Sequence, residues 1–170
     1  MSEEVTLVPA TRGDEALLEN LLTLYIHDMS EIVPLVPDDD GRFRYRRLPP
    51  YFSEPATHFP FLIRSGGRNA GFALVTRGSP VSDDPAVLDV AEFFVLRGDR
   101  RSGVGRHAAP LLWRRIPGEW TVRVFEANRA GLPFWEATIR EFTAGAYTAE
   151  TQPNPPHPRR VFRFKSGGTT

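Results

Sequence analysis

The sequence contains no cysteine and no long apolar run, and each absence excludes a class of protein. Without cysteine, the 170-residue chain can have no disulfide framework, no thiolate zinc site and no cysteine nucleophile. No apolar stretch approaches the roughly 20 residues that a transmembrane helix needs. Residues 1–5 lack the basic and apolar regions of a signal peptide. These absences make a cytoplasmic protein the expectation.

Charge is balanced over the whole chain but unevenly distributed along it. The 21 basic and 21 acidic residues give a net charge of zero. Residues 1–40 carry ten acids and one base, whereas residues 41–170 carry twenty bases and eleven acids. Solvated surface explains most of this division, although an anionic cofactor on one side and a cationic substrate on the other would also fit it. The basic and aromatic stretch at 42–47 is short, so a nucleic-acid partner is not expected.

Hydrophobic periodicity predicts one α/β domain spanning residues 1–170, with a mixed sheet. The first helix is expected to begin behind a cap formed by Thr11 and Asp14 and to end at Pro34. The predicted strands lie at 5–9, 61–64, 71–76, 87–96, 120–125 and 161–165, and the later helices at 103–115 and 128–142. A proline-rich loop is expected at 34–60 and a disordered tail at 166–170.

The sharpest signal is a segment rich in glycine and arginine, residues 97–106, between the most apolar strand and a helix. Its sequence is Arg-Gly-Asp-Arg-Arg-Ser-Gly-Val-Gly-Arg. Glycines at the start of a helix let backbone N–H groups approach an anion, and the helix dipole adds a favourable potential. The four arginines supply cations suited to a pyrophosphate. The segment is therefore predicted to bind an anion.

Two common nucleotide-binding motifs do not fit this segment. Residues 103–108 match the dinucleotide fingerprint G-x-G-x-x-G/A, and Glu126 follows where a ribose-binding acid would stand. However, six residues separate Leu96 from Gly103, whereas the fingerprint places its first glycine directly after a strand. A Walker phosphate loop is excluded because no lysine and hydroxyl pair follows the glycines.

Two motifs resemble those of the GNAT superfamily of acyl-CoA-dependent N-acyltransferases. Residues 100–105, Arg-Arg-Ser-Gly-Val-Gly, resemble its pyrophosphate motif R/Q-x-x-G-x-G/A. Residues 128–135, Asn-Arg-Ala-Gly-Leu-Pro-Phe-Trp, resemble a second motif in which an asparagine opens a helix and an aromatic pair follows. The resemblance covers nearly the whole chain and is closest to a bacterial subgroup of acetyltransferases. It implies a mostly antiparallel sheet with a splayed parallel strand pair, flanked by helices.

The resemblance implies acetyl-CoA as the acyl donor and a set of residues that bind it. Phe93, Phe94 and Val95 on the central strand would hydrogen-bond the pantetheine arm through their backbone. Asn128 would lie near the pantetheine, with Trp135 alongside. The pyrophosphate would be held by the loop residues Arg100, Arg101, Ser102, Gly103, Val104, Gly105 and Arg106.

The same resemblance raises a question about catalysis. Trp135 stands where the superfamily usually has a tyrosine that protonates the departing CoA thiolate, and an indole N–H cannot serve as an acid. The thiolate could leave unprotonated, another group could reach it, or the protein could bind acyl-CoA without turnover. Glu92 is the candidate general base for the attacking amine, and a structural ion pair is the alternative role for it.

The acceptor side is expected to include the first helix, the loop at 34–60 and the last strands. Tyr25 and Asp28 are the candidate substrate-binding residues, and they suit a cationic amine on a small molecule or peptide. The four histidines lack metal-ligand spacing, so no metal is expected. A membrane partner is not expected either, and the superfamily suggests a homodimer. The predicted function is transfer of acetyl from acetyl-CoA to a primary amine in a ternary complex; the alternative is a non-catalytic acyl-CoA sensor or interaction module.

Overall fold

The computed structural model describes residues 4–167, which form seven strands and four helices. The strands are β1 (Val5–Pro9), β2 (His58–Ser65), β3 (Arg68–Arg77), β4 (Leu88–Val95), β5 (Gly118–Phe125), β6 (Tyr147–Gln152) and β7 (Arg159–Ser166). The helices are α1 (Glu15–Met29), α2 (Pro50–Ser53), α3 (Val104–Arg115) and α4 (Gly131–Thr143). No helix among these residues is long and apolar enough to cross a membrane.

All seven strands belong to one mixed sheet, in the order β1-β2-β3-β4-β5-β7-β6. Every neighbouring pair is antiparallel except β4 and β5. Those two strands pair only from Leu88–Trp120 to Val90–Val122. Both continue beyond that point without pairing with each other, so the sheet opens at its centre. The predicted mixed sheet with a splayed parallel pair is confirmed.

Helices cover the two faces of the sheet unequally. On one face, Leu18 and Leu22 of α1 pack with Phe72 and Leu74 of β3. On the other face, α3 and α4 cover a larger core that includes the buried Trp113. Burying such side chains contributes about 1.5–3 kcal/mol each, so both helix layers are anchored by the hydrophobic effect.

A bulge in β4 determines which face Glu92 occupies. The register between β3 and β4 shifts from Leu74–Glu92 to Val75–Val90, which leaves Ala91 without a partner. Side chains alternate along a strand, so without the extra residue Glu92 would follow Val90 into the core beneath α3 and α4. With it, Glu92 lies on the α1 face.

The structure corrects three predicted boundaries. Helix α1 ends at Met29 rather than at Pro34, and the Ser30 hydroxyl donates to the carbonyl of His27 at 2.6 Å. Helix α4 begins at Gly131 rather than at Asn128, because Asn128 Oδ1 accepts the Gly131 N–H at 2.8 Å from outside the helix. Ser166, expected in a disordered tail, is a buried residue of β7. The rest of that expected tail after Gly167 lies outside the described residues.

Two elements were missed because their sequences carry little hydrophobic pattern. Strand β6 is mostly exposed, and its Thr-Ala-Glu-Thr-Gln sequence shows no buried alternation. It pairs with β7, so β7 lies inside the sheet next to β5. The short helix α2 lies within the segment 34–60, which was expected to be a loop throughout.

A buried ion pair connects β4 to β5 where their pairing ends. Asp89 is fully buried and accepts hydrogen bonds from Arg123 Nε at 3.0 Å and Arg123 Nη2 at 2.7 Å. Thr121 Oγ1 donates to the same carboxylate at 2.6 Å. Every oxygen of Asp89 therefore has a partner, as a buried charge requires.

We expect Asp89→Asn to lower the free energy of unfolding by about 3–5 kcal/mol, because it leaves the Arg123 charge buried without compensation. Urea denaturation measures this loss. The matched control is Glu136→Gln, which removes an exposed pair with Arg140 on α4 and should leave the transition in place. Equal effects of the two substitutions would contradict the assignment.

Candidate active site

Glu92 lies where three elements meet beside the opening of the sheet. Tyr25 of α1 donates its hydroxyl to Glu92 Oε2 at 2.5 Å. Tyr45, from the segment between α1 and α2, donates to Oε1 at 3.1 Å. The Tyr25 ring packs edge-on against Phe72 and Phe94, with centroids 5.8 Å apart in both cases. Both carboxylate oxygens are thus held by rings that are themselves fixed by packing.

Burial is the largest influence on the acidity of these groups. It raises the pKa of Glu92 above its usual value, and the two tyrosine hydrogen bonds and the nearby Arg123 only partly offset it. Burial and the charge of Glu92 also raise the pKa of Tyr25 and of Tyr45. A carboxylate whose pKa moves toward neutrality is better matched to accepting a proton from an amine.

The loop at 97–106 turns sharply before it enters α3. Arg101 and Gly103 have left-handed backbone angles, with φ of 65° and 89°. Ser102 Oγ donates to the carbonyl of Asp99 at 2.6 Å, and buried Asp99 pairs with Arg68 of β3. These contacts fix the loop on the sheet.

The start of α3 presents backbone donors to the region in front of this loop. The first backbone bond of the helix runs from the His107 N–H to the Gly103 carbonyl at 3.0 Å. The N–H groups of Val104, Gly105 and Arg106 therefore have no partner within the helix. This arrangement suits a pyrophosphate.

Most arginine side chains of the loop already have carboxylate partners. Arg97 and Arg100 both pair with Asp28 of α1, at 2.8 Å and 2.5 Å. Arg100 also donates from Nε to the Val95 carbonyl at 2.9 Å. Arg106 pairs with Glu141 at 2.7 Å. Anion binding by this loop would therefore depend mainly on backbone N–H groups and on Arg101, which makes no ion pair among the described residues.

These contacts occupy Asp28, which the sequence predicted as a substrate-binding residue. Both of its oxygens accept from arginines, and its side chain is 18% exposed. Asp28 therefore connects α1 to the loop at 97–106. The acids Asp38 and Asp40 are likewise paired with Arg44 and Arg46, so neither is free to attract a cationic amine.

The remaining predicted cofactor residues lie near the opening, but two of them have structural partners. Phe93 contacts Trp135 edge-on with centroids 5.0 Å apart. Trp135 is only 8% exposed and packs with Trp113 and Phe134 in the core beneath α3 and α4. The side chain of Asn128 caps α4.

Sequence analysis missed three members of this site. Asp89 and Arg123 gave no motif, and Tyr45 stood in a stretch of alternating basic and aromatic residues that was expected to be a loop over the substrate site or plain surface, without a role for Tyr45 itself. The alternation was the usable signal, because Tyr45 points inward to Glu92 while Arg44 and Arg46 pair with acids outside. Within residues 4–167, no cluster of three histidine or carboxylate side chains could hold a metal.

Comparison with known proteins places this geometry in a recognised fold. No protein-family model matches the chain, and no curated protein matches its sequence. Solved structures do match. An acetyltransferase from Thermus thermophilus has a TM-score of 0.67 and 16% identity, with 97% of this chain and 99% of that chain covered. The aminoglycoside acetyltransferase AAC(6')-Ib with coenzyme A has a TM-score of 0.67, 16% identity and 95% of both chains covered.

A third match extends over the full chain. It is a Corynebacterium glutamicum protein described as histone acetyltransferase HPA2 and related acetyltransferase, with a TM-score of 0.69 and 14% identity, covering 100% of this chain and 99% of that one. The chain has the GNAT fold. Within this fold, a chain of contacts joins the loop at 97–106 to Glu92: the Arg100 guanidinium lies 5.4 Å from the centroid of the Phe94 ring, and that ring packs against Tyr25.

We expect Gly103→Ala to weaken acetyl-CoA binding about tenfold. An alanine at φ of 89° costs about 1–2 kcal/mol of backbone strain. The loop would relieve this strain by changing its conformation, which would turn its N–H groups away from the pyrophosphate. Gly98→Ala in the same loop is the control, because its added methyl group would meet no atom within 4 Å. Calorimetric titration of both variants measures the difference, and equal affinities would contradict this role for the loop.

Proposed function

We propose that this protein is an N-acetyltransferase that moves acetyl from acetyl-CoA to a primary amine of a small molecule. The observation that carries the proposal is the carboxylate of Glu92, held by Tyr25 and Tyr45 beside the opened strands of a GNAT fold. Structural neighbours support the small-molecule acceptor. AAC(6')-Ib was solved with coenzyme A and kanamycin, and another neighbour is a spermidine N-acetyltransferase chimera.

The residues around the opening fit acetyl-CoA. Beyond Val90, the side of β4 that faces β5 has no strand partner, and unpaired backbone groups there need hydrogen bonds. Residues 93–95 would bind the pantetheine arm in place of a strand. The N–H groups at the start of α3, with Arg101, would bind the pyrophosphate.

Bound acetyl-CoA supplies a thioester carbonyl as the electrophile. The amine nitrogen bonds to the carbonyl carbon, the carbon–sulfur bond breaks, and the sulfur leaves with the electron pair. Glu92 accepts the proton that the amine loses. Its carboxylate has about four lone-pair positions, so the two tyrosine hydrogen bonds leave room for this proton.

No tyrosine at position 135 is needed for this reaction to balance. The proton on Glu92 offsets the charge that leaves on the sulfur, which then takes a proton from Glu92 or from water. Tyr147 is not placed to help, because its hydroxyl bonds to Glu136 at 3.2 Å and Arg140 at 3.2 Å on α4. The segment 34–60 supplies Tyr45 to the site, which supports its assignment to the acceptor side.

The test combines calorimetry with thiol release. We expect saturable binding of acetyl-CoA but not of NADH, followed by CoA release with at least one amine in a screen. Glu92→Gln should lower turnover about 10²- to 10⁴-fold with little change in acetyl-CoA affinity, because it removes only the base. Glu119→Gln, at an exposed position of β5, is the control.

Each outcome separates the candidate functions. Binding without thiol release from any amine would favour the non-catalytic sensor, for which the buried Trp135 is the specific observation. Binding of NADH instead would contradict the assignment of the loop. A fully active Glu92→Gln variant would remove Glu92 as the base.

The pH profile tests the hydrogen bonds to Glu92. The base must be ionised, so kcat/KM should rise with pH through the raised pKa of Glu92. The Tyr25 hydrogen bond lowers that pKa, so Tyr25→Phe should move the rising limb to higher pH while its ring keeps the packing against Phe72. The same profile with Tyr147→Phe is the control, and an unshifted limb in Tyr25→Phe would contradict the coupling.

A further inference from the structure

Arg159 is a partly buried cation without a carboxylate partner among residues 4–167. It is the first residue of β7 and lies opposite Phe125 of β5, with its Cζ 4.5 Å from the centroid of the Phe125 ring. Its neighbours differ, since Arg123 pairs with Asp89 and Arg160 pairs with Glu126 at 3.0 Å. Among the described residues, Arg159 makes no ion pair.

Arg159 belongs to the same face of the sheet as the Glu92 site. Arg123 lies opposite Val161, so Arg159 is its diagonal neighbour on that face. Burial and the charge of Arg123 lower the pKa of Arg159, while the charges of Glu92 and Asp89 act in the opposite direction. The strand register and the pairing of Arg123 with Asp89 of β4 place Arg159 on the face of the sheet that carries Glu92.

The local charges favour a monoanion as the missing partner. Asp89 neutralises Arg123, whereas Arg159 makes no ion pair among the described residues. A partly desolvated guanidinium next to another cation is stabilised by an anion, and its planar donors match a carboxylate with two hydrogen bonds. The carboxylate of Glu92 would repel a dianionic phosphate more strongly than a monoanion.

We propose that the acceptor is a zwitterionic amino acid whose carboxylate pairs with Arg159 while its amine faces Glu92. This inference rests on the proposed acetyl transfer and specifies its substrate class. It separates this protein from acetyltransferases that act on polycations, because an amine without a carboxylate would leave Arg159 without a partner. The Phe125 ring beneath Arg159 keeps the guanidinium in place for this contact.

Matched acceptors test the proposal. Thiol release is compared between amino acids, their carboxamides and the amines in which hydrogen replaces the carboxylate. The panel includes α-, β- and γ-amino acids, so that the distance between the amine and the carboxylate of the acceptor is varied. We expect the free acids to have kcat/KM about tenfold to hundredfold above the matched amides, mainly through KM. An equal or reversed preference, or a preference for aminoalkyl phosphates, would overturn the proposal.

Substitution of Arg159 connects that preference to one residue. Arg159→Gln should remove the advantage of the acids, so that each acid and its matched amide are turned over with similar kcat/KM. Arg159→Lys should restore part of the advantage, because a point charge attracts the carboxylate without the two-bond geometry. Arg160→Gln, at the adjacent residue on the opposite face, should keep the full advantage. Loss of the advantage in Arg160→Gln, or its survival in Arg159→Gln, would contradict the assignment.

Binding measurements keep this test separate from the test of acetyl transfer. If acetyl-CoA binds but no acceptor releases thiol, the proposed transfer fails, and the CoA-loaded protein is titrated with N-acetyl amino acids and their carboxamides. Binding of the acids alone, lost in Arg159→Gln and kept in Arg160→Gln, would support the carboxylate site. Equal binding of both series, or binding of neither, would overturn it.

Discussion

The interruption of the sheet between β4 and β5 is the constraint on which the rest of the site depends. Three residue pairs hold these strands together, and Asp89 with Arg123 closes the paired region on the α1 face. Ala91 is the next residue of β4 after the last of these pairs, and the bulge there changes the side-chain alternation. The same few residues therefore create an unpaired strand edge and turn Glu92 toward α1 beside it.

Carboxylates in the acidic first part of the chain form ion pairs with arginines from its basic remainder. The first 40 residues are strongly acidic, yet Asp28, Asp38 and Asp40 all pair with arginines from later in the chain. The charges of these three carboxylates are thereby offset, and α1 becomes attached to the loop that precedes α3. On the face that carries Glu92, Arg123 is paired with Asp89, whereas Arg159 makes no ion pair among the described residues.

Sequence patterns were sufficient for the features that depend on local chemistry. Glycines and arginines after an apolar strand indicated the loop at 97–106, and alternation or helical spacing indicated most elements. Features that depend on contacts between residues distant in the sequence could not be predicted from these patterns. The bulge at Ala91 exists only in the register with β3, β6 is an exposed edge held by β7, and Tyr45 gains its role from Glu92, 47 residues away.

Trp135 and the titratable groups around Glu92 lie on opposite faces of the sheet. The indole is enclosed by Phe93, Phe134 and Trp113, so α4 contributes packing there and no acid. The buried Glu92 and its two tyrosines lie on the α1 face instead, where the acceptor would enter. Proton transfer in this protein is therefore expected to be controlled from the acceptor side, by the same elements that would select the amine.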